Sequence, residues 1–177
     1  MDWYKTGCRI FLLIERKKDG SRNSSDHRCL RLVSRCETEF DDILAELKEK
    51  QANSERMHRI YSSINKRNAI KAMHLFKRRM LEMELHRSDR QVDFFLNSTK
   101  EYLSCLAQLE CRASKLILVD VDGAESLLNE QLAKLEDTSI IDVRKTYNGY
   151  HIITEPFNLK QISLDCDIHR DGMILHV

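Results

Sequence analysis

The fold of this chain turns on residues 116–123, LILVDVDG, where an apolar run ends in two aspartates and a glycine. Side chains alternate across a strand, so Asp120 and Asp122 lie on one face. The residues before them are apolar on both faces, which predicts a buried strand over 115–122 whose carboxylates lie where the sheet meets solvent. An exposed acidic turn is the alternative, since Asp-Val-Asp-Gly is also good turn chemistry.

The rest of the chain predicts short strands mixed with helices. After 122 we predict a helix over 124–135, strands over 139–145 and 150–154 joined at Tyr147-Asn148-Gly149, and tail strands over 163–168 and 172–177. Before it, strands are predicted over 8–15, 28–33 and 58–64, the first two forming a hairpin. Helices are predicted over 37–50, after an Asn65 cap, and from Ser88 or Asp89. This pattern predicts an α+β fold, a mostly antiparallel sheet backed by helices.

Composition restricts the class of protein. The 177 residues suit one domain, with strands and helices in 1–112 and the motif-bearing sheet in 113–177. A hydrophobic content of 42% with 32% charged residues is typical of an ordinary soluble protein. No stretch predicts a membrane span or a signal peptide, so we expect a cytoplasmic protein. The six cysteines form no CxxC pair and are expected to be reduced and buried; a zinc site of Cys29, Cys36 and His27 is the alternative.

Four aspartates and one histidine are candidates for chemistry. Paired carboxylates such as Asp120 and Asp122 suit a hard cation, Mg²⁺ or Mn²⁺, whose other ligands are phosphate oxygens and water. His151 opens the strand YHIIT; alone it suggests a core histidine, but beside the aspartate strand it could donate to a triphosphate oxygen. Asp165 and Asp167 in LDCDIHRDG share a strand face, and either could add a third carboxylate.

Basic residues are clustered although the net charge is only +1. Such clusters can contact phosphates, or simply solvate helix faces. The clusters that matter here are Arg59, Lys66 and Arg67, the basic helix 66–79, and Arg144 with Lys145.

Three motifs in this order resemble the archaeo-eukaryotic primase (primase-polymerase) superfamily: LVDVDG, NGYH and LDCDIHRDG. That family's pattern is hydrophobic-Asp-hydrophobic-Asp, then Ser-x-His, then hydrophobic-Asp. The resemblance covers about residues 115–177, and here Asn148 or Gly149 replaces the serine. The wider pattern of LLIERKKDG, RIYSSINKR and YHIITEPFN is similar to small proteins encoded by bacteriophages.

The resemblance implies an RRM-like catalytic core that performs two-metal nucleotidyl transfer in DNA replication, in the host cytoplasm if phage-encoded. Its partners would be a nucleoside triphosphate and single-stranded or primed nucleic acid, with Mg²⁺ or Mn²⁺ as cofactor. The implied roles are metal binding by Asp120, Asp122 and Asp167 (or Asp165), nucleotide binding by His151, Asn148, Arg144 and Lys145, and nucleic-acid binding by Arg59, Lys66 and Arg67.

Other functions stay open. A covalent ligase needs Lys-x-Asp/Asn-Gly, but Lys145 is one residue too far from Asn148-Gly149. A haloacid-dehalogenase phosphatase also opens with Asp-x-Asp, although its motif usually lies near the chain start. The alternative outside enzymology is a phage protein that binds nucleic acid, a nucleotide or a host protein through the loop 15–26 and the helix 66–79.

Overall fold

A computed structural model describes residues 7–15, 29–36, 38–54, 57–85, 91–136, 138–160, 162 and 164–176. These residues form two four-stranded antiparallel sheets with helices packed against them, which confirms the predicted α+β class. The strands are β1 (Arg9–Glu15), β2 (Cys29–Ser34), β3 (His58–Ser63), β4 (Ile117–Asp122), β5 (Ile140–Lys145), β6 (Gly149–Thr154), β7 (Asp167–His169) and β8 (Met173–His176). The helices are α1 (Thr38–Ala52), α2 (Ala69–Leu85), α3 (Gln91–Leu96), α4 (Ser98–Leu106) and α5 (Glu125–Lys134), with a 3₁₀ turn at Leu109–Cys111. No helix in these described ranges has the length and apolar character needed to cross a membrane.

The first three strands of the chain belong to one sheet and the next four to the other, and the last strand returns to the first sheet. The first sheet has the order β2-β1-β3-β8 and the second has the order β5-β6-β4-β7. The predicted hairpin of β1 and β2 is present as an antiparallel pair. The last strand, β8, pairs with β3 and therefore belongs to the first sheet, so the predicted sheet of residues 113–177 loses its final strand. The chain thus returns from the second sheet to form the edge strand of the first.

Alternation along β1 explains why the first sheet has helices on both faces. Ile10 points to a cluster with Ala72 and Leu75 of α2, whereas Phe11 and Leu13 point to the opposite cluster under α1. Burying apolar side chains on both faces is why the run RIFLLIE is apolar throughout.

Two helices differ in part from their predicted orientation. In α2, helical spacing predicts that Ala69, Met73, Phe76 and Met80 face inward; Phe76 does pack against the core cluster of Ala72 and Leu75, whereas Met73 is exposed. The helix is capped by Asn68, whose Oδ1 accepts a hydrogen bond from the Lys71 amide at 3.0 Å, and not by Asn65. The predicted start at Ser88 or Asp89 lies outside the described residues. The spacing after that start predicts that Val92, Phe95, Leu96, Leu103 and Leu106 face inward. In α3, Val92, Phe95 and Leu96 are exposed and Phe94 is buried instead. In α4 the prediction is confirmed, since Leu106 is buried and Leu103 packs against the core.

The two sheets meet through β8. Ile174 of β8 packs with Leu118 of β4, Ile153 of β6 and Ile64, which follows β3. Buried Asn65 reinforces this junction, since its Oδ1 accepts a hydrogen bond from the Leu116 amide at 2.7 Å, next to β4. The segment before β4 is thereby attached to the segment after β3.

The cysteines follow the prediction in part. All six are free; Cys8, Cys105 and Cys111 are buried, and burial raises the pKa of each of these three thiols. Cys29 is exposed on β2. In the alternative zinc site, His27 lies outside the described residues, and the Cys36 Sγ is 3.0 Å from the Thr38 hydroxyl.

Candidate active site

The candidate site begins with the alternation of side chains along β4. Val119 and Val121 are buried in the cluster that contains Leu128 of α5, on the back of the second sheet. Asp120 and Asp122 therefore project from the opposite face, toward the first sheet. The apolar back face holds the strand, and the carboxylates are displayed on the front.

Strand register places ionisable residues beside Asp120 on both sides. Asp120 lies opposite His151 of β6 and opposite Asp167 of β7. His151 in turn lies opposite Arg144 of β5. Directly opposed residues of antiparallel strands share a face, so one row crosses all four strands in the order Arg144, His151, Asp120, Asp167. The prediction that the hairpin strand lies beside the aspartate strand is confirmed.

His151 is held against Asp120 in a buried position. Its Nε2 is 3.4 Å from the Asp120 Oδ1, and its side chain is only 8% exposed. Burial lowers the pKa of His151 below its usual value, although the Asp120 charge acts in the opposite direction. The imidazole is therefore neutral at pH 7, and its Nδ1 is buried with no hydrogen-bond partner in the described part of the chain. Since a carboxylate only accepts, the single ring proton belongs on Nε2, facing Asp120.

A cavity of about 740 Å³ opens in front of Asp120 and His151, the middle two residues of this row, and is lined by both sheets. The second sheet contributes Asp120, Asp122 and His151 to its wall, and the first sheet contributes Arg59 and Tyr61 of β3. Met173 and Leu175 of β8 also line it, whereas Ile174, on the other face of β8, packs with Leu118 and Ile153. Both sheets therefore contribute to the cavity. The wall formed by the second sheet contains the predicted residues Asp120, Asp122 and His151.

Asn148 lies at one end of this cavity, in the turn between β5 and β6. Its carbonyl accepts a hydrogen bond from the Gly123 amide at 2.9 Å, which ties the turn to the end of β4. Gly149 is required here by close approach, because a Cβ would lie 1.9 Å from the Val121 carbonyl oxygen. The Asn-Gly pair was predicted from turn chemistry; its structural reason is the lack of space beside β4.

The two candidates for the third carboxylate, Asp165 and Asp167, lie in different surroundings. Asp167 is in register with Asp120 on the front of the sheet. Asp165 instead accepts a hydrogen bond from Lys134 of α5 at 3.0 Å and is well exposed. Asp167 is therefore the better candidate, although it lies outside the cavity wall.

The predicted basic residues do not all reach the site. Arg144 is in the row but forms an ion pair with Asp142 at 2.6 Å and lines a second cavity of about 300 Å³. Lys145 is opposite Tyr150, whose ring packs on the back of the sheet, so Lys145 faces away from Asp120. The structure argues against a role for Lys145 at this site.

The first-sheet cations also differ from one another. Arg59 lines the cavity. The amide of Lys66 donates to the Ser114 hydroxyl at 3.0 Å, and its side chain is half-buried. Arg67 is only 3% exposed and is paired with Asp171, so it cannot serve as a surface contact for nucleic acid. Sequence clustering of basic residues did not reveal that Arg67 is an internal ion.

Several cavity residues were not predicted. Tyr61, Tyr147, His169 and Asp171 all line the wall. Arg59 and Tyr61 are two residues apart on β3, so alternation alone puts them on one face. No local signal indicates that this face lies opposite β4.

The described residues include no set of three or more His, Cys, Asp or Glu side chains positioned together to hold a metal ion. Asp120 and Asp122 nevertheless present two carboxylates to one cavity. Mg²⁺ is commonly held by one or two carboxylates together with waters and substrate phosphates, so these two residues are chemically suited to that ion.

Comparison with protein-family models, curated proteins and solved structures returned no match to this chain.

Proposed function

We propose that this chain is a metal-dependent nucleotidyltransferase of the primase-polymerase type that acts on nucleoside triphosphates and nucleic acid. The observation that supports the proposal is the polar wall of the cavity, where Asp120, Asp122 and His151 come from neighbouring strands. These residues occupy the positions that the sequence resemblance implies for metal and nucleotide binding. Both the order of the motifs in the sequence and the position of these side chains in one cavity therefore support the proposal.

The size of the cavity agrees with one bound nucleotide. Sites for small molecules and cofactors usually measure about 300–1,000 Å³. The cavity in front of Asp120 falls within that range at about 740 Å³. It is open to solvent between the sheets, so a nucleic-acid end could approach the same carboxylates from outside.

Asp120 and Asp122 would hold Mg²⁺ or Mn²⁺, with Asp167 beside Asp120 as the candidate third ligand. When bound, such ions activate the attacking 3′-hydroxyl and stabilise the charge on the leaving pyrophosphate.

His151 would contact a phosphate oxygen of the nucleotide. Its Nε2 is 3.4 Å from Asp120, which is longer than the usual 2.7–3.2 Å of an N–H···O hydrogen bond. The Nε2 proton is thus weakly engaged and can be donated to an incoming phosphate. A neutral imidazole can make that donation without a change of protonation.

The proposal is tested by metal-dependent incorporation of labelled nucleotides on primed and unprimed single-stranded templates. In the double variant Asp120→Asn/Asp122→Asn we expect incorporation to fall by at least about 100-fold, the effect typical of removing electrostatic stabilisation. Asp165→Asn is the matched control, since it removes a carboxylate that lies just before β7 and is paired with Lys134 of α5 instead of facing the cavity. Absence of incorporation by the wild-type protein with either Mg²⁺ or Mn²⁺ would overturn the proposal.

A second candidate is a binding protein that holds nucleotide, nucleic acid or a host protein without turnover. The lack of a three-donor metal group among the described residues favours it. It predicts nucleotide binding by the wild-type protein without incorporation, and similar binding by the double asparagine variant in the absence of metal.

A further inference from the structure

We propose that Tyr147, supported by Arg59, is a stacking platform for the base of the nucleotide that binds in this cavity. The inference rests on the proposed function for the phosphate end of the ligand, and it adds the recognition element for the base. Tyr147 belongs to none of the three sequence motifs, and the sequence predicts it only as a turn residue.

Tyr147 is mounted on a turn whose main chain is fixed. The Thr146 amide donates to the Gly149 carbonyl at 2.8 Å, and the Gly149 amide donates to the Thr146 hydroxyl at 3.1 Å. The Asn148 carbonyl bonds the Gly123 amide beyond the end of β4. The ring is therefore carried at a set distance from the strand that holds Asp120 and Asp122.

The ring is exposed but has a cation against one face. Arg59 comes from the opposite sheet, and its guanidinium carbon lies 5.1 Å from the centre of the Tyr147 ring. Tyr147 is nevertheless 56% exposed. Since Arg59 covers one face, the exposed surface is the other face and the rim. A tyrosine held with one face backed by a cation and the other open is suited to stack a planar ring.

The position of the Tyr147 ring indicates how a nucleotide would be oriented in the cavity. Gly149, two residues after Tyr147, lies opposite Asp122 in the register of β4 and β6. Tyr147 and the carboxylates line the same cavity. A nucleotide whose phosphates lie near Asp120 and Asp122 would place its base at the Tyr147 end.

Stacking on an aromatic side chain tolerates any base, because every base has a π-face. The ligand class is therefore a nucleoside triphosphate of either purine or pyrimidine, selected for having a base and not for its identity. Inorganic tripolyphosphate, which has the same phosphate chain without a base, is the natural comparison ligand.

The test is calorimetric titration with ATP, CTP and inorganic tripolyphosphate in the presence of Mn²⁺. For Tyr147→Leu we expect the Kd of both nucleotides to rise about tenfold, the loss of one base–aromatic stack, while the Kd of tripolyphosphate is unchanged. Tyr147→Phe is the matched control, since it keeps the ring and should bind like wild type.

Two results would overturn the stacking inference alone. One is an unchanged Kd for ATP and CTP in Tyr147→Leu; the other is an equal loss of affinity for tripolyphosphate, which would indicate a distorted turn. If the wild type binds tripolyphosphate and the Asp120→Asn/Asp122→Asn variant does not, the metal-and-phosphate site stands in either case. Failure of the wild-type protein to bind any of the three ligands would overturn both proposals.

Discussion

Removing one partner of the buried Arg67–Asp171 ion pair should strongly destabilise the junction between the sheets. The pair is bidentate, with 2.8 Å from Nη1 to Oδ2 and 2.8 Å from Nη2 to Oδ1. The two side chains are 3% and 14% exposed. Asp171 immediately precedes Gly172 and β8, so the pair attaches the start of β8 to the segment that follows β3.

We predict that Asp171→Asn lowers the free energy of unfolding by about 3–5 kcal/mol, because the Arg67 charge would stay buried without its partner. That is a large part of the 5–15 kcal/mol typical of a folded domain. The assay is urea unfolding followed by far-ultraviolet circular dichroism. With a slope of about 2 kcal/mol/M, the midpoint should fall by about 1.5–2.5 M.

The control is Glu82→Gln in α2, which removes the partner of Arg78 in an exposed pair at 3.7 Å. Such i,i+4 pairs contribute only about 0.3–0.5 kcal/mol, so its midpoint should barely move. Adding Arg67→Met to Asp171→Asn should recover part of the loss, since no buried charge remains. Equal midpoints for Asp171→Asn and Glu82→Gln would refute the reasoning.

Two further predictions concern the second sheet and pH. Gly149→Ala should cost at least about 1–3 kcal/mol in urea unfolding, because the added Cβ would overlap the Val121 carbonyl and separate β4 from β6. Asn148→Ala, at the exposed neighbouring position, should change stability by less than about 0.5 kcal/mol, and equal losses would contradict the prediction. Burial, and then Arg144, Lys48 and Arg9, lower the pKa of His176 from 6.5 to about 4. The unfolded chain binds that proton first, so stability should fall as the pH drops from about 6.5 toward about 4, and His176→Gln should lessen the fall. If the wild type and His176→Gln lose stability equally between these pH values, the prediction for His176 is wrong.

The strands were predictable because their signal is local. The apolar run before Asp120 predicted a strand over 115–122, and β4 covers Ile117–Asp122. Alternation also predicted that Asp120 and Asp122 share a face, which the burial of Val119 and Val121 on the other face bears out. These features depend only on the geometry of an extended backbone and on where apolar residues are placed.

The helix faces were less predictable. In α2 the apolar residues Met73 and Leu75 both fit an amphipathic pattern, yet only Leu75 is buried. The position of α4 and of the first sheet decides which stripe of α2 is covered, and neither is local to the helix. The same reason explains Arg67, whose partner Asp171 lies 104 residues further along the chain.

The sequence by itself determined the class of fold, the positions of most strands, and the presence of two carboxylates and a histidine at the ends of apolar runs. Only the tertiary structure decided that β6 and β7 flank β4, so that His151 and Asp167 lie beside Asp120. It also decided that β8 returns to the first sheet and that Arg59 of β3 lies against the Tyr147 ring. Local patterns state which side of an element is apolar, but the partner of that side depends on long-range packing, and a cavity between two sheets exists only after both have formed.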